Sequence, residues 1–192
     1  MNYTEFMKRI RSSAGSEKLG FRQFGLCLHP RHLPLTLVSV EGSDPVVVVP
    51  GRAKTKYGNK VPVTAVSKTA FMSNDTVTDI FLPHTVETVQ DGAFAGCRNL
   101  RNMTIPRSVR WIGNGTFDGC DNLENIYYEG TKEEWETVEI VRQRWTVSFG
   151  GLVPGTPVET VTDDRITPVP GNEALFFCSF HFNCPLKAAF LD

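Results

Sequence analysis

Residues 83–105, PHTVETVQDGAFAGCRNLRNMTI, align without a gap on residues 106–128, PRSVRWIGNGTFDGCDNLENIYY, and nine of the 23 positions are identical. The identities are Pro83/Pro106, Val86/Val109, Gly92/Gly115, Phe94/Phe117, Gly96/Gly119, Cys97/Cys120, Asn99/Asn122, Leu100/Leu123 and Asn102/Asn125. Residues 60–82 form a more divergent third copy. It keeps Val63, Val66, Ala70, Phe71, Val77, Ile80 and Leu82 in the same apolar slots and has Asn74 in place of the cysteine. A fixed period of this length means that each unit leaves an apolar face that only its neighbour can cover, so the chain is constrained to a solenoid of stacked units.

Within each unit an L-x-x-L-x-L spacing recurs as Val77, Ile80, Leu82, then Leu100, Met103, Ile105, then Leu123, Ile126, Tyr128. In a strand of period two the residues flanking the inward ones point the other way. Asp79, Phe81, Asn102, Thr104, Asn125 and Tyr127 are therefore expected to line one exposed strand face. A second short strand per unit is expected from Val63/Val66, Val86/Val89 and Val109/Ile112. The turn between carries Phe94 and Phe117 into the core, where they should stack. Beside Arg110, Trp111 aligns with Thr88 and Ala65, so the repeat does not demand its size, and it is a second candidate contact residue.

The run from Ile105 to Leu123, IPRSVRWIGNGTFDGCDNL, resembles the BspA-like leucine-rich repeat of bacterial proteins, and YYEGTKEEW, Tyr127 to Trp135, resembles the way such arrays end. The resemblance covers roughly residues 35–140 and implies a short leucine-rich-repeat stack, mainly β, built of short parallel strands. It further implies a non-enzymatic interaction or adhesion module, on the cell surface or secreted, whose partner is another protein.

A stack exposes apolar surface at both ends, and each end needs a lid. Thr131 followed by Glu134 is a capping box that opens a helix, TKEEWETVEIV, with Trp135, Val138 and Val141 at helical spacing. On the other side LTLVSV from Leu35 and VVVV from Val46 read as strands. Tyr3, Phe6, Met7 and Ile10 fall at i, i+3, i+4 and i+7, an amphipathic helix expected to pack on the domain, with a partner or a membrane surface as the alternative. The resulting organisation is a helix and turn over 1–34, a strand cap over 35–59, repeats over 60–82, 83–105 and 106–128, a capping helix over 129–148, and an extension over 149–192. The extension is rich in Gly, Pro and Thr from Gly150 to Gly171, and its LFFCSFHFNC run reads as a strand.

The 20 basic and 21 acidic residues are well mixed, which leaves no basic field for nucleic acid or anionic lipid, and no apolar run is long enough to span a membrane. Lys8, Arg9 and Arg11 stand where a signal peptide would need its apolar stretch, and the five cysteines are an odd number. Both features favour a reduced, cytoplasmic protein, in contrast to the surface location that the resemblance implies.

Cys178, His181 and Cys184 lie close enough in sequence to suggest zinc, but strand alternation puts Phe176, Cys178, Phe180, Phe182 and Cys184 on one face and His181 on the other. No metal or cofactor is expected. Cys97 and Cys120 should sit one strand spacing apart, yet equivalent side chains point in parallel, so two buried thiols are expected rather than a disulfide. In HPRH, Pro30 breaks any helical pairing of His29 with His32, and a turn is expected; His84 occupies a solvent slot. No nucleophile elbow, phosphate-binding loop or paired-carboxylate motif occurs, so no catalytic residue is assigned. The expected function is a protein-interaction module, with self-association through the Phe-rich C-terminal strand as the alternative and a metal-dependent or hydrolytic enzyme as the remote one.

Overall fold

The computed structural model describes residues 1–14, 24–28, 35–54, 59–141 and 172–185. The segments His29–His32 and Gly150–Gly171, and the end of the 129–148 range, lie outside the described residues. In chain order the elements are α1 (Tyr3–Ala14), β1 (Phe24–Leu28), β2 (Leu35–Val40), β3 (Val46–Val48), β4 (Arg52–Lys54), β5 (Lys60–Val66), β6 (Asp79–Phe81), β7 (Thr88–Val89), β8 (Asn102–Ile105), β9 (Trp111–Ile112), β10 (Asn125–Tyr128), α2 (Lys132–Trp135), β11 (Glu139–Ile140), α3 (Ala174–Phe177) and β12 (Ser179–His181).

Each 23-residue unit contributes one strand to each of two sheets, because a turn separates its two valine- and leucine-bearing stretches. One sheet runs β1-β2-β5-β7-β9-β11, with β4 beside β5; the other runs β12-β10-β8-β6-β3. Pairing is parallel along both, except for the antiparallel β1–β2 and β4–β5. The register is that of the repeat: Ile80, Met103, Ile126 and Phe180 are successive partners, as are Ala65, Thr88, Trp111 and Glu139. Between the sheets lies one continuous apolar core, to which each unit adds equivalent residues such as Val86, Phe94, Leu100 and Met103. Phe71, Phe94 and Phe117 stack in file, with ring centroids 5.1 and 5.5 Å apart.

The identical polar positions of the repeat are explained by bonds to the preceding unit. Asn99 Nδ2 donates to the Asp75 carbonyl (2.6 Å) and Asn122 Nδ2 to the Arg98 carbonyl (2.7 Å). The Cys97 thiol donates to the Phe71 carbonyl (3.1 Å) and the Cys120 thiol to the Phe94 carbonyl (3.2 Å), and both cysteines are free. Burial pushes the Cys97 thiol up to about 12 and the Cys120 thiol higher still. Gly96 has φ +76° and its absent Cβ would fall 3.3 Å from Ser73 Cα. Ser73 holds the same turn position one unit earlier at φ 57° and keeps its side chain.

Two elements differ from the sequence expectation. The capping box is present, with Glu134 N donating to Thr131 Oγ1 (3.2 Å) and Thr131 N donating to Glu134 Oε2 (3.0 Å). The helix it opens stops after Trp135, however, and Glu139–Ile140 pair with Trp111–Ile112. The open edge of β9 offers backbone partners to a β-branched stretch, and strand pairing outweighs three weakly helical residues. In the C-terminal segment, Ala174–Phe177 is helical and the strand is confined to Ser179–His181. Asn183 then turns at φ 57°, which breaks the alternation and directs Cys184 to the opposite side from Phe180 and Phe182.

Candidate interaction surfaces

The strand row expected to be exposed is buried. Asp79, Phe81, Thr104 and Tyr127 are 0% exposed, Asn102 1% and Asn125 8%. The cover is α1, whose Phe6, Met7 and Ile10 form a second apolar cluster with Val48, Phe81, Tyr127 and Cys184, separate from the core between the sheets. The helix crosses the stack from its last strands to its first. Tyr127 lies 4.8 Å from the Phe6 ring and 5.4 Å from that of Tyr3, Arg9 reaches Asp79 on β6, and α1 packs along β3. At the helix start Tyr127 Oη donates to the Met1 carbonyl (2.7 Å), and Tyr3 Oη donates to the Pro185 carbonyl. Burial pushes the Tyr127 phenol up to about 12.

Beneath α1 the row carries a polar chain with a direction. Asn102 Nδ2 donates to Asp79 Oδ1 (2.7 Å), Asn125 Nδ2 donates to Asn102 Oδ1 (2.9 Å), and His181 Nε2 stands 3.0 Å from Asn125 Oδ1. A carboxylate can only accept, so Asp79 fixes the sense of both amides and makes His181 Nε2 the terminal donor. Thr78 Oγ1 (2.7 Å) and Arg9 Nη2 (2.9 Å) complete the shell of Asp79. Thr104 does related work: its hydroxyl accepts from Leu82 N (2.8 Å) and donates to Leu82 O (3.2 Å), just past the last β6–β8 backbone pair.

His181 belongs to this row, stacked on Tyr127 at 4.9 Å, and sequence reasoning did not connect the two. The signal lay in the register: Phe180 continues the inward file of Ile80, Met103 and Ile126, which returns His181 to the file of Tyr127. Cys178 packs against the main core, and Cys184 donates to the His181 carbonyl (3.3 Å), so the three residues do not converge. Burial raises both thiols, that of Cys178 to about 11. Among the described residues no group of three or more His, Cys, Asp or Glu side chains is placed to hold a metal, and no helix is long and apolar enough to cross a membrane.

Trp111 stands on the other sheet. Its outward file is Thr36, Ala65, Thr88, Trp111 and Glu139; it is half-buried and belongs to neither apolar cluster. Arg110, which precedes it in the chain, and Glu87, at the equivalent position one unit earlier, are both exposed. A third feature is the pair Phe176 and Phe177, 52% and 82% exposed, directly ahead of β12, whose outer edge pairs with no strand among the described residues.

Residues 64–137 match the family model of the BspA type leucine rich repeat region, in six copies. Among solved structures, the chain resembles a leucine-rich repeat protein from Bacteroides ovatus, with 28% identity and a TM-score of 0.51 over 58% of this chain and 31% of that one. It also shares the fold of the leucine-rich repeat protein of T. pallidum, with 23% identity and a TM-score of 0.52 over 58% of this chain and 53% of that one. A leucine-rich repeat protein from Bacteroides capillosus gives 19% identity and a TM-score of 0.52 over 64% and 97% of the two chains. The chain thus spans about a third of the length of the first of these and about half of the second. A search of the curated proteins gives no match. The repeats that organise this chain are leucine-rich repeats of the BspA type.

Proposed function

We propose that this protein is a non-enzymatic protein-interaction module whose contact surface is centred on Trp111. The observation that carries the reading is the placement of a large aromatic ring, outside both apolar clusters, on a sheet face otherwise lined by Ala65, Thr88 and Glu139. Aromatic side chains contribute most to contact energy when a partner desolvates them. The test is to place a photo-cross-linking side chain at position 111, and in parallel at the exposed Glu133, in the cell that makes the protein. A discrete adduct with another protein is expected from 111 alone, and Trp111→Ala should weaken the captured complex by tenfold or more. No adduct from 111, or the same adducts from both positions, overturns the reading.

The exposure of Phe177 beside the edge of β12 favours a second reading, self-association through that edge. Sedimentation of the full chain against a Phe176→Asp/Phe177→Asp variant tests it. A monomer in both rules it out. Removing the whole segment would be a poorer test, since Asn172 and His181 are tied into the stack.

A further inference from the structure

We infer that the face formed by Val48, Phe81, Tyr127, His181 and Asp79 is a receptor for a basic amphipathic helix of a partner protein, and that α1 is its intramolecular occupant. Three observations carry this. First, the core between the sheets is a continuous cluster without a residue of α1, so the stack closes independently of the helix. Second, α1 meets its face through a compact set of anchors at helical spacing: Tyr3 and Phe6 on Tyr127, Met7 and Ile10 in the apolar cluster, Arg9 on Asp79. That is how a helix is recognised in a groove. Third, the face holds a fully buried carboxylate where an ordinary cover would meet apolar surface alone: Asp79 Oδ1 accepts from Asn102, while Oδ2 accepts from Thr78 and also meets Arg9. Arg9 is the cation that reaches this carboxylate from the helix, and its own side chain is 45% exposed.

A buried acid aimed at an incoming cation selects a basic helix over an acidic one. The partner therefore presents aromatic residues at i and i+3, an aliphatic residue at i+7 and Arg at i+6, in the order that α1 presents them. Because α1 is covalently attached, it competes at high effective concentration, and a partner gains access only as the helix leaves. This rests on reading the protein as an interaction module, but it concerns the opposite sheet from Trp111, so the two can fail separately.

The test uses the full chain and a labelled synthetic peptide of residues 1–14 as the probe, read by fluorescence anisotropy. Ile10→Asp in the chain should release α1, and the peptide should then bind at least tenfold tighter than it binds the unchanged chain. Arg9→Glu in the peptide should weaken that binding at least tenfold. Equal binding to both chains, or equal binding of both peptides, overturns the proposal. So does loss of cooperative melting in the Ile10→Asp chain, because α1 would then be part of the stack's own core. An independent reading needs no variant: amide exchange in α1 should be at least tenfold faster than at Met103 and Ile126, and equal protection overturns the proposal. Formation of a dimer by exchange of α1 between copies would also overturn it, assigning the face to a second copy.

Discussion

Asn125 Nδ2 and Asn102 Oδ1 meet at 2.9 Å beneath α1, and that bond is the middle link of a chain running from the Asp79 carboxylate to the His181 ring. Stacked amides of this kind are satisfied only by their neighbours above and below, so each unit depends on the next having the same residue in the same slot.

Asn102→Ala should therefore cost ~2–4 kcal/mol, since it leaves one Asp79 oxygen and the Asn125 amide N–H without their partner. Asn102→Ala and Asn125→Ala combined should cost less than the two separately, because they share one bond. Urea unfolding of the two single variants and the double variant measures this, and strict additivity would contradict the chain.

Asn172 ends a second ladder. Phe71 N donates to the Ala93 carbonyl and Phe94 N to the Thr116 carbonyl, each one unit on. Phe117 has no further unit, and its N–H is accepted by Asn172 Oδ1 (3.1 Å) while Asn172 Nδ2 donates to the Gly113 carbonyl (3.1 Å). A side-chain amide here stands in for the missing backbone. Asn172→Leu should destabilise the protein by ~1–3 kcal/mol, and Asn172→Asp, which keeps the acceptor for Phe117 N but sets a buried carboxylate oxygen against the Gly113 carbonyl, should destabilise it at least as much at neutral pH. Thermal melting of the two variants measures this.

These ladders mark what was legible in the sequence. The two sheets, their register and the phenylalanine file followed from the 23-residue alignment, because strand alternation converts identity of position into identity of face. The assignment of Asp79 through Tyr127 to one row was of the same kind. Their burial was not legible in that way. Periodicity identified the apolar stripe of Tyr3, Phe6, Met7 and Ile10 and said that it needed a partner, but contacts such as Tyr127 with Met1, 126 residues apart, leave no periodic trace. One sign was available: Asp79, Asn102 and Asn125 recur in a common slot although Asp and Asn are depleted in strands, a recurrence that suits a ladder of mutual hydrogen bonds. The short α2 was missed because Trp135, Val138 and Val141 satisfy a helical template while Glu139–Ile140 also complete the edge of β9.

The buried thiols give a pH dependence. The Cys97 thiol is raised from its ordinary 9.0 to about 12 by burial, and that of Cys178 to about 11. Above pH 9 the unfolded chain releases these protons while the folded chain keeps them. The unfolded state then binds fewer protons, and stability falls as pH rises. It should be fully present below pH 9 and decline through the window up to about 12. Urea midpoints across that range should show the decline, and Cys97→Ala should make it shallower. In the folded protein at pH 8, Cys97 and Cys120 should resist alkylation and react fully only after unfolding.

The turn at Ser73 and Gly96 separates two causes of glycine preference. Both positions adopt a left-handed backbone, and at Gly96 an added Cβ would also fall 3.3 Å from Ser73 of the preceding unit, whereas Ser73 already carries a side chain. Gly96→Ala should cost ~1–3 kcal/mol from the backbone and the contact together, whereas Ser73→Gly should change stability by under ~1 kcal/mol. Denaturant midpoints of the two variants check the asymmetry.

The helix α1 is translated before every strand it rests on, and its face is finished only when residues 127, 181 and 184 have joined the stack. The docking of α1 therefore cannot precede the assembly of those strands. The repeats can assemble locally, one unit on the next, and the docking of the amphipathic α1 then closes a loop between Met1 and Tyr127, 126 residues apart. Unfolding under stress should run in reverse, with α1 the first part to let go.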